Sequence, residues 1–148
     1  MDKKLVAENR CAKYEYSLLE TYEAGIVLTG DEIKSVRAGH LSLVDCYGFI
    51  KDDECFLRNS YIKEYSNSFD AGRFGDSTRR DRKLLLHKLE IEKIKKKIEQ
   101  EHLTLVPTKA YFVGSNLKIE LAVARGKKVA DKRETLKNRQ IEKDLRNN

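Results

Sequence analysis

The chain predicts a mainly β domain in which about six short antiparallel strands carry two or three inserted helices, followed by a basic tail. Three observations lead to this class. Apolar residues alternate over short runs, as half-buried strands require. Turn-forming residues punctuate those runs at Gly25, Asp52-Asp53 and Gly114-Ser-Asn116. Two segments place apolar side chains at helical spacing instead.

A polar lead of about eight residues comes first, and residues 14–22 then alternate loosely as a strand. Glu23-Ala-Gly25 is expected to turn the chain into a short apolar strand at Ile26, Val27 and Leu28. Asp31 is expected to cap a short helix with Ile33 and Val36 on one face and Gly39 as its stop. Residues 44–51 and 55–62 form a predicted hairpin joined by Asp52-Asp53. Residues 66–82 are rich in Ser, Asn, Asp, Gly and Arg and make the longest loop, ending in the basic run Arg79-Arg-Asp-Arg-Lys83. Leu84, Ile91, Ile94 and Ile98 predict a helix with Lys95, Lys96 and Lys97 mostly outward. Residues 104–113 form the next strand, where Pro107, the only proline, suits an edge or a bulge. After Gly114-Ser-Asn116, residues 117–124 are the last strand, with Ile119 and Leu121 inward. Short strands with tight turns favour a small closed antiparallel barrel, of the oligonucleotide-binding (OB) type, over a layered parallel sheet.

The domain is expected to occupy residues 1–125, with residues 126–148 as a tail that is disordered alone and helical only on a partner. Leu136, Ile141 and Leu145 are too few to bury a helix face. Between Arg125 and Asn148 stand nine Lys or Arg against four Asp or Glu, so most of the net charge of +6 lies there. A phosphate polymer is the natural partner of such a segment, because neutralising phosphates releases condensed counterions. A membrane partner is not expected, since no basic amphipathic helix with a strong apolar face is present. Cys11, Cys46 and Cys55 are odd in number and lack a C-x-x-C spacing, which fits a reducing cytoplasm. The first residues contain no apolar run of the kind that opens a signal peptide.

Six strings occur in order: Asn9-Arg-Cys-Ala12, Glu23-Ala-Gly-Ile-Val-Leu28, Gly30-Asp-Glu-Ile-Lys-Ser35, Arg82-Lys-Leu-Leu-Leu-His87, Thr104-Leu-Val-Pro107, and Gly126-Lys-Lys with Asp131-Lys-Arg133. Together they resemble the SsrA-binding protein (SmpB) family from about Asn9 to Arg133. The resemblance implies an OB-type barrel on the tRNA-like domain of transfer-messenger RNA, delivered to stalled ribosomes in trans-translation. It implies a tail that probes the decoding site and messenger channel, and no cofactor. One protein on one RNA is the expected assembly.

The resemblance also implies RNA contacts for Glu23, Leu85, His87 and Lys118, and for Asn9 and Arg10 at the entry to the first strand. Read alone, Glu23 is a polar turn residue and the leucines are core. A carboxylate facing RNA can accept from base amino groups or a ribose hydroxyl, or orient a lysine. Lys118 alternates outward from Leu117 and Ile119, which suits a phosphate contact as well as a solvated face. Arg79, Arg80, Arg82 and Lys83 adjoin the leucine string and are expected as a phosphate footprint. In the tail, Lys127, Lys128, Asp131, Lys132 and Arg133 are the expected ribosome contacts. Three positions depart from the family pattern: Ala130 where His is common before the Asp, His102 where Gly is common, and residues 64–66 where a Pro is often found.

No catalytic or metal-binding residues are expected, because no zinc spacing, phosphate loop or recognisable Cys–His pairing occurs. An OB-type nuclease would need Asp31, Glu32 and Asp45 as metal ligands with Arg37 as cation. Helix capping and the helix dipole already account for Asp31 and Glu32. A generic basic ribosome-associated protein is the other alternative, distinguished by lack of preference for a tRNA-like fold.

Overall fold

A computed structural model of the chain describes residues 3–64 and 78–126. Its elements run β1 (Lys3–Glu8), α1 (Ala12–Glu15), β2 (Tyr16–Ile26), α2 (Gly30–Arg37), β3 (Leu41–Ser42) and β4 (Tyr47–Lys51). They continue with β5 (Glu54–Arg58), β6 (Tyr61–Ile62), β7 (Arg82–Leu85), α3 (Lys88–Glu101), β8 (Thr104–Val113) and β9 (Asn116–Gly126). The chain is mainly β, as expected. Seven strands form one antiparallel sheet in the order β1-β8-β4-β5-β7-β2-β9, and β9 also pairs with β8. β3 and β6 form a separate pair.

Local chemistry explains the elements that were legible. The hairpin between β4 and β5 turns at Asp52 and Asp53, both at positive φ (53° and 60°), the backbone of a primed turn that matches strand twist. Pro107 sits at the bulge in the β8–β9 register, where a ladder donor is not needed. His102, at φ 52° and ψ 49°, is the left-handed C-cap of α3, so the departure from Gly there is a change of helix cap.

Several expectations are corrected. The polar lead is a strand: Lys3, Lys4 and Leu5 pair with Val113, Phe112 and Tyr111 of β8. Glu23, Ala24 and Gly25 do not turn the chain but continue β2, with Ala24 fully buried. Thr29, not Asp31, caps α2. The Thr29 hydroxyl accepts from the Glu32 amide at 3.2 Å, and the Glu32 carboxylate accepts from the Thr29 amide at 2.9 Å, a reciprocal capping box. Residues 55–62 are two strands, because Asn59 at φ 68° interrupts the run. Leu84 belongs to β7 rather than a helix. Arg82 and Leu84 point inward while Lys83 and Leu85 point out, the period of two that a strand imposes.

The main core gathers Leu57, Leu84, Leu105, Ile119, Leu121 and Val123 from the strands with Ile94 of α3 and Val36 of α2. A smaller cluster, Ala12, Val106 and Ala124 with Tyr16 and Leu18, lies under α1. Gly48 is where β4 meets β8, opposite Leu105. A Cβ at Gly48 would stand 2.9 Å from the Leu105 Cβ, whereas one at Gly30 would meet nothing within 4 Å. Gly48→Ala is therefore expected to cost about 1–3 kcal/mol and Gly30→Ala far less. Urea midpoints check this, and equal midpoints for the two variants would refute it.

Candidate RNA interface

Strand register brings together residues that lie far apart in the chain. Gly25 of β2 pairs with Leu85 of β7 on one side and Lys118 of β9 on the other. Glu23 lies two residues along the same face. Three side chains expected to contact RNA thus surround one glycine on the solvent face. A Cβ at Gly25 would come within 3.3 Å of the Leu85 Cβ, so Leu85 lies across a position with no side chain. Leu85 keeps 52% of its surface exposed and, with Gly25, Asn116 and Lys118, lines a shallow depression of about 150 Å³. Lys83 points out from the same strand, 3.2 Å from Glu54. His87 follows as the exposed N-cap of α3, its amide donating to Glu90 at 3.1 Å.

Glu23 is built into the face. The Tyr111 hydroxyl donates to its Oε2, and the Lys3 ammonium lies 3.9 Å from that oxygen and 4.8 Å from the centre of the Tyr111 ring. Burial, with Glu23 beside it, pushes the Tyr111 hydroxyl well above its ordinary pKa, so it stays a donor. Glu120 pairs directly opposite Glu23 and has its own partners, Thr108 at 2.8 Å and Lys109 at 3.4 Å. Sequence reading missed Tyr111, Lys3, Lys109 and Glu120. Counting outward from the turn at Gly114 puts Tyr111 beside Lys118 and Lys109 beside Glu120, which was the available signal.

Asn9 and Arg10 stand apart from this centre. The Asn9 amide group donates to the Pro107 carbonyl at 3.1 Å, and its backbone N–H donates to Thr108 at 2.7 Å. Asn9 thus ties the end of β1 to the β8 bulge. With Arg10, Lys13, Lys109 and Glu120 it lines a cavity of about 320 Å³, and Glu120 links this cavity to the Glu23 row.

The basic cluster requires a correction. Arg82 is fully buried and does not reach the surface as a phosphate contact. Its guanidinium donates to Glu32 at 2.8 Å, to the Ser60 carbonyl and hydroxyl at 2.7 and 2.8 Å, and to the Thr78 carbonyl at 3.1 Å. Arg80 donates to the same carboxylate. Burial alone would raise the Glu32 pKa, but Arg80, the Thr29 amide and Arg82 together hold it below 4.5. Arg79 lies over the Tyr61 ring at 5.1 Å. Lys83 is the member of the cluster that shares a face with Leu85.

The same contacts remove Glu32 from the nuclease alternative, and no group of three metal-capable side chains occurs among the described residues. Burial pushes the Cys46 thiol up to about 12 and the Cys55 thiol up to about 11, which keeps both protonated. No helix among the described residues is long and apolar enough to cross a membrane. Lys127, Lys128, Asp131, Lys132 and Arg133 lie outside the described residues, as does most of the long loop.

The class this geometry defines is a small antiparallel β protein that offers a mixed apolar and charged sheet face. Comparison with known proteins supplies the family. The family model described as SmpB protein matches residues 6–148. The SsrA-binding protein of Gloeothece citriformis is 51% identical over 96% of this chain and 90% of its own length. Those of Trichormus variabilis and Oleidesulfovibrio alaskensis are 48% and 46% identical over the same shares. A solved chain described as "tmRNA-SmpB: a journey to the center of the bacterial ribosome" superposes with a TM-score of 0.68 at 44% identity, covering 87% of this chain and 92% of that one. The chain belongs to the SmpB family.

Proposed function

We propose that this protein is a non-enzymatic cytoplasmic adaptor that binds the tRNA-like domain of transfer-messenger RNA and brings it to stalled ribosomes for trans-translation. The observation that carries the reading is the convergence of Glu23, Leu85 and Lys118 around Gly25 on one exposed face. That set offers a phosphate contact, an apolar surface for a base or ribose, and an acceptor for base or ribose donors. Lys83 and His87 extend the face on one side, and Asn9 and Arg10 on the other. Arg80 is a peripheral contributor, because Glu32 already holds it. Support for the partners comes from relatives named for binding SsrA and from a structural neighbour described on the bacterial ribosome.

The finer architecture belongs to the same reading. β8, β4, β5, β7, β2 and β9 pair in sequence, and β9 pairs back to β8, a cycle that fits a closed OB-type barrel. Residues 1–125 then form the RNA-binding body, and residues 126–148 the ribosome-directed tail through Lys127, Lys128, Asp131, Lys132 and Arg133. One copy acts on one RNA.

The test is binding of the purified protein to a tRNA-like domain of transfer-messenger RNA at near-physiological salt, against an equal mass of unrelated structured RNA. Strong preference for the former is expected. Equal, steeply salt-sensitive binding to both would leave only a charge-driven RNA binder. In the same assay Lys118→Ala is expected to weaken binding and lower the salt slope by about one unit. A slope equal to the parent's would remove Lys118 from the phosphate contacts.

A further inference from the structure

We infer that Tyr111 is a positioning residue for RNA recognition: its hydroxyl fixes the Glu23 carboxylate as an acceptor for an N–H or O–H donor of a nucleotide. The inference rests on the proposed placement of Glu23 in the RNA face. Glu23 is 46% exposed on its side chain and directly faces a second carboxylate, Glu120, across the β2–β9 ladder. Like charges opposite one another repel, and a free Glu23 side chain would swing away from Glu120 into several rotamers. Tyr111 prevents this. Its ring is buried to 4% exposure on β8, so the hydroxyl has little freedom, and it donates to Glu23 Oε2. Lys3 approaches the same oxygen. Both contacts fall on Oε2, which leaves Oε1 as the acceptor for an incoming group.

The chemistry of that group follows from the acceptor. An ionised carboxylate repels a phosphate and has no proton to donate, so it addresses amino, imino or hydroxyl groups of the RNA. Glu120 is engaged by Thr108 and Lys109, so the two carboxylates have separate partners. Holding Glu23 before binding removes an ordering cost that the complex would otherwise bear.

The experiment is a double-substitution cycle with Tyr111→Phe and Glu23→Gln in the full chain, read as affinity for the tRNA-like domain at several salt concentrations. Phe keeps the buried ring, and thermal midpoints confirm that each variant folds. Tyr111→Phe is expected to weaken binding about tenfold with the parent's salt slope, since no phosphate contact is lost. In the Glu23→Gln background the same change is expected to alter affinity less than about twofold. Equal losses in both backgrounds, or no loss from Tyr111→Phe while Glu23→Gln weakens binding, would overturn the inference and leave the RNA face standing. Parental affinity for Glu23→Gln would instead remove Glu23 from that face. Transcripts carrying sparse 2′-deoxynucleotides or inosine separate a ribose hydroxyl from a guanine amino group as the donor: the responsible substitution loses its effect in Glu23→Gln. If neither substitution interferes with binding, the acceptor role is refuted.

Discussion

Arg82→Ala is expected to destabilise the folded protein by about 3–5 kcal/mol, the usual result of removing one partner of a buried ion pair. The substitution strips the Glu32 carboxylate, whose side chain is only 12% exposed, of its fully buried guanidinium partner and leaves it Arg80 alone. It also leaves the Ser60 and Thr78 carbonyls without their guanidinium donor. Against a total of roughly 5–15 kcal/mol for a domain, a large share of the chain's stability is at stake. Arg82→Lys keeps the charge but not the fork that serves Glu32, Ser60 and Thr78 together, so it recovers only part of the loss. Urea unfolding measures this, and a parental midpoint for Arg82→Ala would refute the structural role. The acid limb adds a signature. Because the folded-state pKa of Glu32 lies below its ordinary value of 4.5, its stabilisation is fully present above pH 4.5 and is lost as pH falls through the folded value. Arg82→Ala is expected to flatten this acid dependence.

Ending the chain after Gly126 is expected to leave RNA affinity within about tenfold, ~1.4 kcal/mol, while abolishing tagging on stalled ribosomes. The residues around Gly25 all precede the cut and draw their support from β2, β7, β8 and β9. The removed residues carry eight Lys or Arg against four Asp or Glu, so their loss lowers non-specific, salt-sensitive attraction more than selectivity. Binding and tagging are measured on the same truncated protein. A loss of affinity beyond tenfold would place RNA contacts in the tail and undo the two-part organisation. Lys118→Ala should show the opposite split, with weakened RNA binding and a tail that is chemically intact.

Elements encoded by neighbouring residues were legible from the sequence. The Asp52-Asp53 hairpin, the Gly114 hairpin and the break at Gly39 depend on a few adjacent positions, and the turn chemistry states them directly. Thr29 with Glu32 also carries a readable capping signature, but Asp31 competed as an equally good cap by residue type. β1 was hidden because Lys3 and Lys4 look like solvated charge, and their partner strand lies about a hundred residues away. Leu84 fell into helical register with Ile91 by chance of spacing. Arg82 was misread for the same reason as Glu23 was under-read: the partners that define them are distant, Glu32 50 positions from Arg82 and Tyr111 88 positions from Glu23. Charge density along the chain says nothing about which cation the fold turns inward.

The pairing of β9 has a mechanical consequence. The strand is bonded along one edge to β2, from Gly25–Lys118 to Tyr16–Gly126, and along the other to β8. A pull applied along β9 from its Gly126 end would act across its hydrogen bonds, which run perpendicular to the strand. Such a load is shared by both ladders in shear instead of parting bonds one at a time. A protein tethered by its C-terminal end on a moving machine would resist extraction best in this geometry, with the strand that bears the load also carrying Lys118.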